Sequence, residues 1–137
     1  MGLQGLASGT VWFDDVQVIC DEQCGVMRAG ATLARGEGAW SCDRSLYLVH
    51  QTDGNVVLYR SGMASGFIVL WSTGTNGRPT TSLVMQADGN LVLYDGGTAV
   101  WDTSTHGNSG AFLSFDSADG LHIYSRDRTR LRSYWNP

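Results

Sequence analysis

Proline is scarce in this chain, with two among 137 residues, and no stretch sustains a helical period. A fold built on long helices is thereby excluded. No apolar run approaches the ~20 residues that a membrane-spanning helix needs, which argues against membrane insertion. The opening Met1-Gly2-Leu3-Gln4-Gly5 has neither the basic region nor the apolar core of a signal peptide. If the protein is secreted, its signal is expected upstream of these residues. Positive charge is also short: the net charge of −4 speaks against a nucleic-acid partner. Catalytic signatures are missing as well. His50, His106 and His122 are far apart, and there is no helical His-Glu pair, phosphate-cradling glycine loop, nucleophile elbow or kinase signature. The cysteines number three, Cys20, Cys24 and Cys42. One disulfide with one thiol left over is the simplest outcome, and the sequence does not choose the pair. No fourth soft ligand stands at a finger-like spacing, so neither zinc nor any other cofactor is expected. Cysteines in a short chain favour an oxidising, extracellular compartment.

Glycine is plentiful, at 18, and the apolar residues come in many short runs. That composition reads as all-β with frequent turns. The length suits one domain, burying about 70% of its unfolded surface. Within it one phrase occurs twice, 35 residues apart: Gln51-Thr52-Asp53-Gly54-Asn55-Val56-Val57-Leu58-Tyr59 and Gln86-Ala87-Asp88-Gly89-Asn90-Leu91-Val92-Leu93-Tyr94. A match of that length is an internal repeat. Asp-Gly between alternating apolar runs predicts a hairpin in each copy, with Gln51 closing one strand and Asn55 opening the next. On the outgoing strand Asn55, Val57 and Tyr59 share a face, and the turn returns Gln51 and Asp53 beside them. The patch then holds two amides, a carboxylate, a phenol and an apolar floor. Carboxylates accept hydrogen bonds, whereas amides and phenols both donate and accept, as does a sugar diol. Gln86, Asp88, Asn90, Val92 and Tyr94 repeat the arrangement. Asp53 and Asp88 give each patch a single carboxylate, not the pair that glycoside hydrolysis normally uses, so no enzyme is expected.

The pattern Gln-x-Asp-x-Asn-x-Val-x-Tyr, matched at every specified position in both copies, resembles the mannose site of the bulb-type (monocot) lectins. The resemblance extends from about Val26 to the C-terminus. It implies a β-prism II fold, three pseudo-symmetric antiparallel sheets of four strands each, and two mannose sites. Gln51, Asp53, Asn55 and Tyr59 would bond one sugar and Gln86, Asp88, Asn90 and Tyr94 another. The Asp and Asn would hold the axial 2-hydroxyl, and Val57 and Val92 would pack on the ring. Homodimers are common in that family, and this sequence specifies none. Family members often carry cysteine where Gly54 and Gly89 stand, so the family's disulfide does not transfer. Two other functions fit the same fold: a bacteriocin-like targeting module, and a protein-interaction scaffold with relic sugar sites.

The remaining stretches divide the chain into residues 1–25 and a domain of residues 26–137. Ser8–Val18 resembles the last strand of jelly-roll carbohydrate-binding modules, which would make the first part a linker or the remnant of an upstream module. Repeat one takes 12 steps from Tyr59 to Trp71 where repeat two takes 7 from Tyr94 to Trp101, an insertion expected to form a loop bordering the first site. Trp71 and Trp101 recur at matched positions and read as packing residues; the resemblance implies that they meet on the pseudo-threefold axis, with Trp135 as candidate third member. A third copy, Leu113–Tyr124, keeps the strand pattern but places Asp116, Ala118, Gly120 and His122 where Gln, Asp, Asn and Val belong, so no ordinary mannose site is expected there. Arg126, Arg128, Arg130 and Arg132 alternate and would line one face of a strand, as an anion-binding row or a protected edge.

Overall fold

The structure, a computed structural model, describes residues 24–62 and 66–137. The jelly-roll-like stretch and Cys20 lie outside the described residues. Among the described residues twelve strands are formed: β1 (Val26–Met27), β2 (Thr32–Ala34), β3 (Gly38–Trp40), β4 (Leu46–His50), β5 (Val56–Gly62), β6 (Gly66–Ser72), β7 (Ser82–Met85), β8 (Leu91–Asp95), β9 (Thr98–Asp102), β10 (Phe112–Asp116), β11 (Gly120–Tyr124) and β12 (Arg130–Trp135). They make three four-stranded sheets, ordered β3-β4-β5-β6, β2-β7-β8-β9 and β1-β10-β11-β12. The strand pairs within them are antiparallel. This is the three-sheeted prism that the resemblance implied.

Alternation explains the core. Leu46, Leu48, Val56 and Leu58 point inward from the first sheet, Leu83, Met85, Leu91 and Leu93 from the second, and Leu113, Phe115, Leu121 and Ile123 from the third. Each sheet thus supplies four inward side chains from its two central strands, and fully burying one such side chain stabilises by about 1.5–3 kcal/mol. At the axis Trp71 and Trp101 meet edge-on with ring centroids 5.6 Å apart. The third ring is Tyr134, 5.4 Å from Trp71 and 5.8 Å from Trp101, and not Trp135. The reason is a bulge: β12 pairs Leu121 with Trp135 but His122 with Ser133, leaving Tyr134 as the extra residue that turns to the axis. Trp135 instead lies under the Arg60 guanidinium, 5.6 Å from its ring centre. Burial of the Tyr134 phenol raises its pKa.

The first strands do not belong to the first repeat. β1 joins the third sheet, β2 the second and β3 the first, so residues 26–40 lace all three. The seam between the third and first sheets is stapled by the Cys24–Cys42 disulfide, which settles the pairing left open above. Beside it Asp43 accepts hydrogen bonds from the hydroxyls of Ser41 (2.8 Å), Ser45 (2.7 Å) and, from the third sheet's hairpin, Ser117 (2.7 Å). The Ser45 hydroxyl and amide, then Ser117 and Ser41, hold the Asp43 carboxyl far below the usual carboxylate range.

The insertion in repeat one is not only a loop. It lengthens the β5–β6 ribbon, adding the pairs Ser61↔Phe67 and Gly62↔Gly66, while β8–β9 ends at Asp95↔Thr98.

Candidate functional site

Both phrases form the expected hairpins, with a three-residue turn. Gln51 N–H donates to the Asn55 carbonyl and Gly54 N–H to the Gln51 carbonyl, at 2.9 and 3.1 Å; Gln86, Asn90 and Gly89 repeat these bonds at the same distances. Gly54 and Gly89 both have φ of +94°. A Cβ at Gly54 would lie 1.9 Å from the Arg78 carbonyl oxygen, and one at Gly89 2.2 Å from that of Asn108. The cysteine common at this position in the resembled family therefore has no room here.

The turn brings the polar residues together as expected. Gln51 Nε2 donates to the Tyr59 hydroxyl, and Gln86 Nε2 to that of Tyr94. Asp53 Oδ1 accepts from Asn55 N–H at 3.0 Å, and Asp88 Oδ1 from Asn90 N–H at 2.9 Å. Both carboxylates are exposed, while Val57 and Val92 are each only 3% exposed, closing the floor beneath them. His50 is turned inward, bonded to the Leu33 carbonyl at 3.0 Å and the Thr80 hydroxyl at 2.8 Å, and takes no part.

What fixes each Asn is a threonine pair that the sequence reading passed over. Asn55 Oδ1 accepts from the Thr73 hydroxyl and from Thr75 N–H, both at 3.1 Å. Asn90 Oδ1 accepts from Thr103 and Thr105 in the same way, again at 3.1 Å. Thr73 and Thr103 also receive the N–H of Val56 (3.1 Å) and Leu91 (3.0 Å), locking the threonine to the strand that carries the site. With its oxygen occupied from behind, Asn55 has its NH2 left as the group to present, whereas one of the two Asn90 amide protons goes to Asp102. The signal was legible: Thr-x-Thr follows the repeated tryptophan at the same distance in both copies.

No protein-family model and no curated protein sequence matches the chain. Solved structures do. A lectin described as Japanese Marasmius oreades lectin is 26% identical, with a TM-score of 0.68 over 80% of this chain and 88% of that one. A monomeric monocot mannose-binding lectin from Gastrodia elata is 28% identical, with a TM-score of 0.65 over 77% and 92%. The mannose-specific agglutinin from snowdrop (Galanthus nivalis) bulbs, complexed with methyl-α-D-mannoside, is 30% identical, with a TM-score of 0.63 over 77% of this chain and 93% of that one. The chain belongs to the bulb-type mannose-binding lectin family.

Two differences separate the sites of this lectin. In the second, Asn90 Nδ2 donates to Asp102 Oδ2 at 2.8 Å. Asp102 pairs with Val92 as Ser72 pairs with Val57, so a carboxylate stands where the first site has a hydroxyl. The expectation of a single carboxylate per patch fails at this site, because Asp102 comes from the neighbouring strand and not from the phrase. The first site differs in its flank, where β6 continues past Tyr59.

In the third sheet the register is as aligned, with Asp116 opposite Gly120 and His122 opposite Ser114 across the hairpin. Asp119, from the turn, accepts from the Tyr124 hydroxyl and pairs with Arg130 at 3.4 Å. Burial, then Asp119, raises the Tyr124 pKa. The four arginines do not line one face. Arg126 and Arg128 precede β12, and Arg128 has φ of +71°. Arg128 lies 6.0 Å from the Phe112 ring centre, Arg130 turns to Asp119, and Arg132 Nε donates to the Thr103 carbonyl at 3.2 Å. The turn and the bulges between Leu121/His122 and Ile123/Tyr124 break the alternation. Among the described residues no group of His, Cys, Asp or Glu is placed to hold a metal ion.

Proposed function

We propose that this lectin domain binds mannose-containing glycans at two sites, Gln51/Asp53/Asn55/Val57/Tyr59 and Gln86/Asp88/Asn90/Val92/Tyr94, and does so outside the cell without catalysis. The observation that carries this reading is the orientation of Asn55 and Asn90, each held by its own Thr-x-Thr pair beside an exposed aspartate. Such a constellation offers donors and acceptors side by side above an apolar floor, which suits a vicinal diol on a pyranose. The snowdrop agglutinin, by its description mannose-specific, supports mannose as the sugar. The relatives described above are all lectins, which supports binding over catalysis. The disulfide supports an extracellular setting. A few neutral hydrogen bonds, each contributing about 0.5–1.5 kcal/mol net, predict millimolar affinity for one sugar, about −4 kcal/mol. Two sites on one body gain ~100-fold on a dense glycan.

The test is calorimetric titration of methyl α-mannoside into the wild-type chain and into Asp53→Ala with Asp88→Ala. Both aspartates are exposed, so folding is retained and thermal unfolding verifies it. Loss of binding in the double variant is expected; unchanged binding would overturn the assignment.

A further inference from the structure

The first sheet carries something on its outer face that the second lacks. Pairing aligns Trp40 with Tyr47, Tyr47 with Tyr59 and Tyr59 with Val69, while Phe67 faces Ser61 on the added rungs of the ribbon. Paired residues point to the same side of a sheet and alternate residues repeat that side, so these rings share the face that carries Asn55 and Val57. They touch in series: Trp40 and Tyr47 at 4.5 Å between ring centres, Trp40 and Phe67 at 6.4 Å, Tyr59 and Phe67 edge-on at 5.7 Å. In the second sheet the same register positions hold Ala34, Ser82 and Ala99 around Tyr94, and the shorter ribbon has no counterpart of Phe67. In the third, Phe112 occupies the matching place but is 7% exposed, with the guanidiniums of Arg28 and Arg128 near its ring. Phe67 is 55% exposed.

Tyr59 belongs to both features. Its hydroxyl takes the Gln51 amide proton inside the sugar patch, and its ring edge meets Phe67. Phe67 is therefore one ring further along the same face, continuous with the first site. An exposed aromatic face beside a hydroxyl-binding patch suits the apolar C–H face of a pyranose. We infer that Phe67, backed by Trp40, forms a subsite that holds the second pyranose of an oligosaccharide whose terminal mannose occupies the first site. The subsite rests on the mannose reading given above. It makes the two sites unequal: the first reads a disaccharide and the second a single ring.

The experiment uses the full chain, labelled with nitrogen-15, so that the side-chain amides of Asn55 and Asn90 report each site separately. Methyl α-mannoside and the methyl glycosides of the α-linked mannobioses are titrated into wild type, Phe67→Ala and Phe67→Trp. At the Asn55 site at least one mannobiose should bind wild type about five- to tenfold more tightly than the monosaccharide, with no such gain at Asn90. Phe67→Ala should remove the gain while leaving monosaccharide affinity at both sites unchanged, and Phe67→Trp should keep it. Equal gains at both sites, no gain at Asn55 for any mannobiose, or a gain that survives Phe67→Ala would overturn the subsite. Self-association that disappears in Phe67→Ala, with no mannobiose gain, would likewise overturn it and assign the strip to a second copy of the chain. Failure of wild type to bind methyl α-mannoside at either site would instead overturn the mannose reading, and the subsite with it.

Discussion

Replacing Thr73 by valine removes one hydroxyl at nearly constant volume, and besides its contact with the Thr75 hydroxyl at 2.8 Å that group has two duties at the site. It donates to Asn55 Oδ1 and accepts the Val56 N–H, each at 3.1 Å. Val56 itself is 1% exposed, so its N–H loses its partner in a place that water reaches poorly. A donor stranded in this way costs about 1–3 kcal/mol, which for a domain of this size lowers the melting temperature by about 3–10 °C. The effect on binding is separate. Asn55 keeps the Thr75 N–H but loses the bond that fixes its amide plane from the strand side. Losing one of two restraints should weaken mannose at the first site about three- to fivefold, the equivalent of one modest hydrogen bond. Site-resolved titration on the Asn55 and Asn90 amides, with calorimetric melting alongside, reads both quantities. A wild-type dissociation constant at Asn55 despite a lowered melting temperature would refute the positioning role and leave Thr73 as a turn staple. An equal loss at Asn90 would refute its locality.

The remaining predictions concern the axis, the seam and the second site. Trp101→Ala removes one ring of the central triad and should cost about 3 kcal/mol, seen as a fall in the denaturant midpoint with little change in the slope. Asp43 has its folded pKa depressed by its serine partners, so its contribution to stability is fully present above the unfolded value of about 3.9 and is lost as pH falls through the lower folded value. Thermal melts between pH 5 and pH 2 should therefore fall more steeply for wild type than for Asp43→Asn. Asp102→Ser gives the second site the residue that the first site has at that position. Its dissociation constant for methyl α-mannoside should then converge on that of the first site within about twofold, measured by the same amide titration.

The prism and its two polar patches were legible because they rest on short-range rules. Asp-Gly sets each turn, alternation sets each face, and repetition confirms both. What escaped the sequence came from neighbours in space. The threonines behind Asn55 and Asn90 lie 18 to 20 and 13 to 15 residues from them, across the next strand. Asp102 reached the second site by the same route. Trp135 was displaced from the axis by a one-residue bulge, which reverses the facing of everything beyond it. The arginine row failed for a related reason, since alternation predicts a common face only while the strand stays regular. The insertion in repeat one read as a loop because its length was visible and its pairing was not.

The strands contributed by residues 26–40 bear on how such a molecule can be assembled and altered. In most repeat proteins each unit touches only its neighbours, so units can be added or removed and folding can spread along the array. Here a single short segment supplies one edge of every sheet, pairing with β10, β7 and β4 in turn. No hairpin completes its sheet before this ribbon is threaded, and its most distant pairing, Val26 with Ser114, reaches across most of the described residues. The three repeats therefore stand or fall together. A fourth copy of the repeated phrase would gain a place only if the threading segment grew by one more strand.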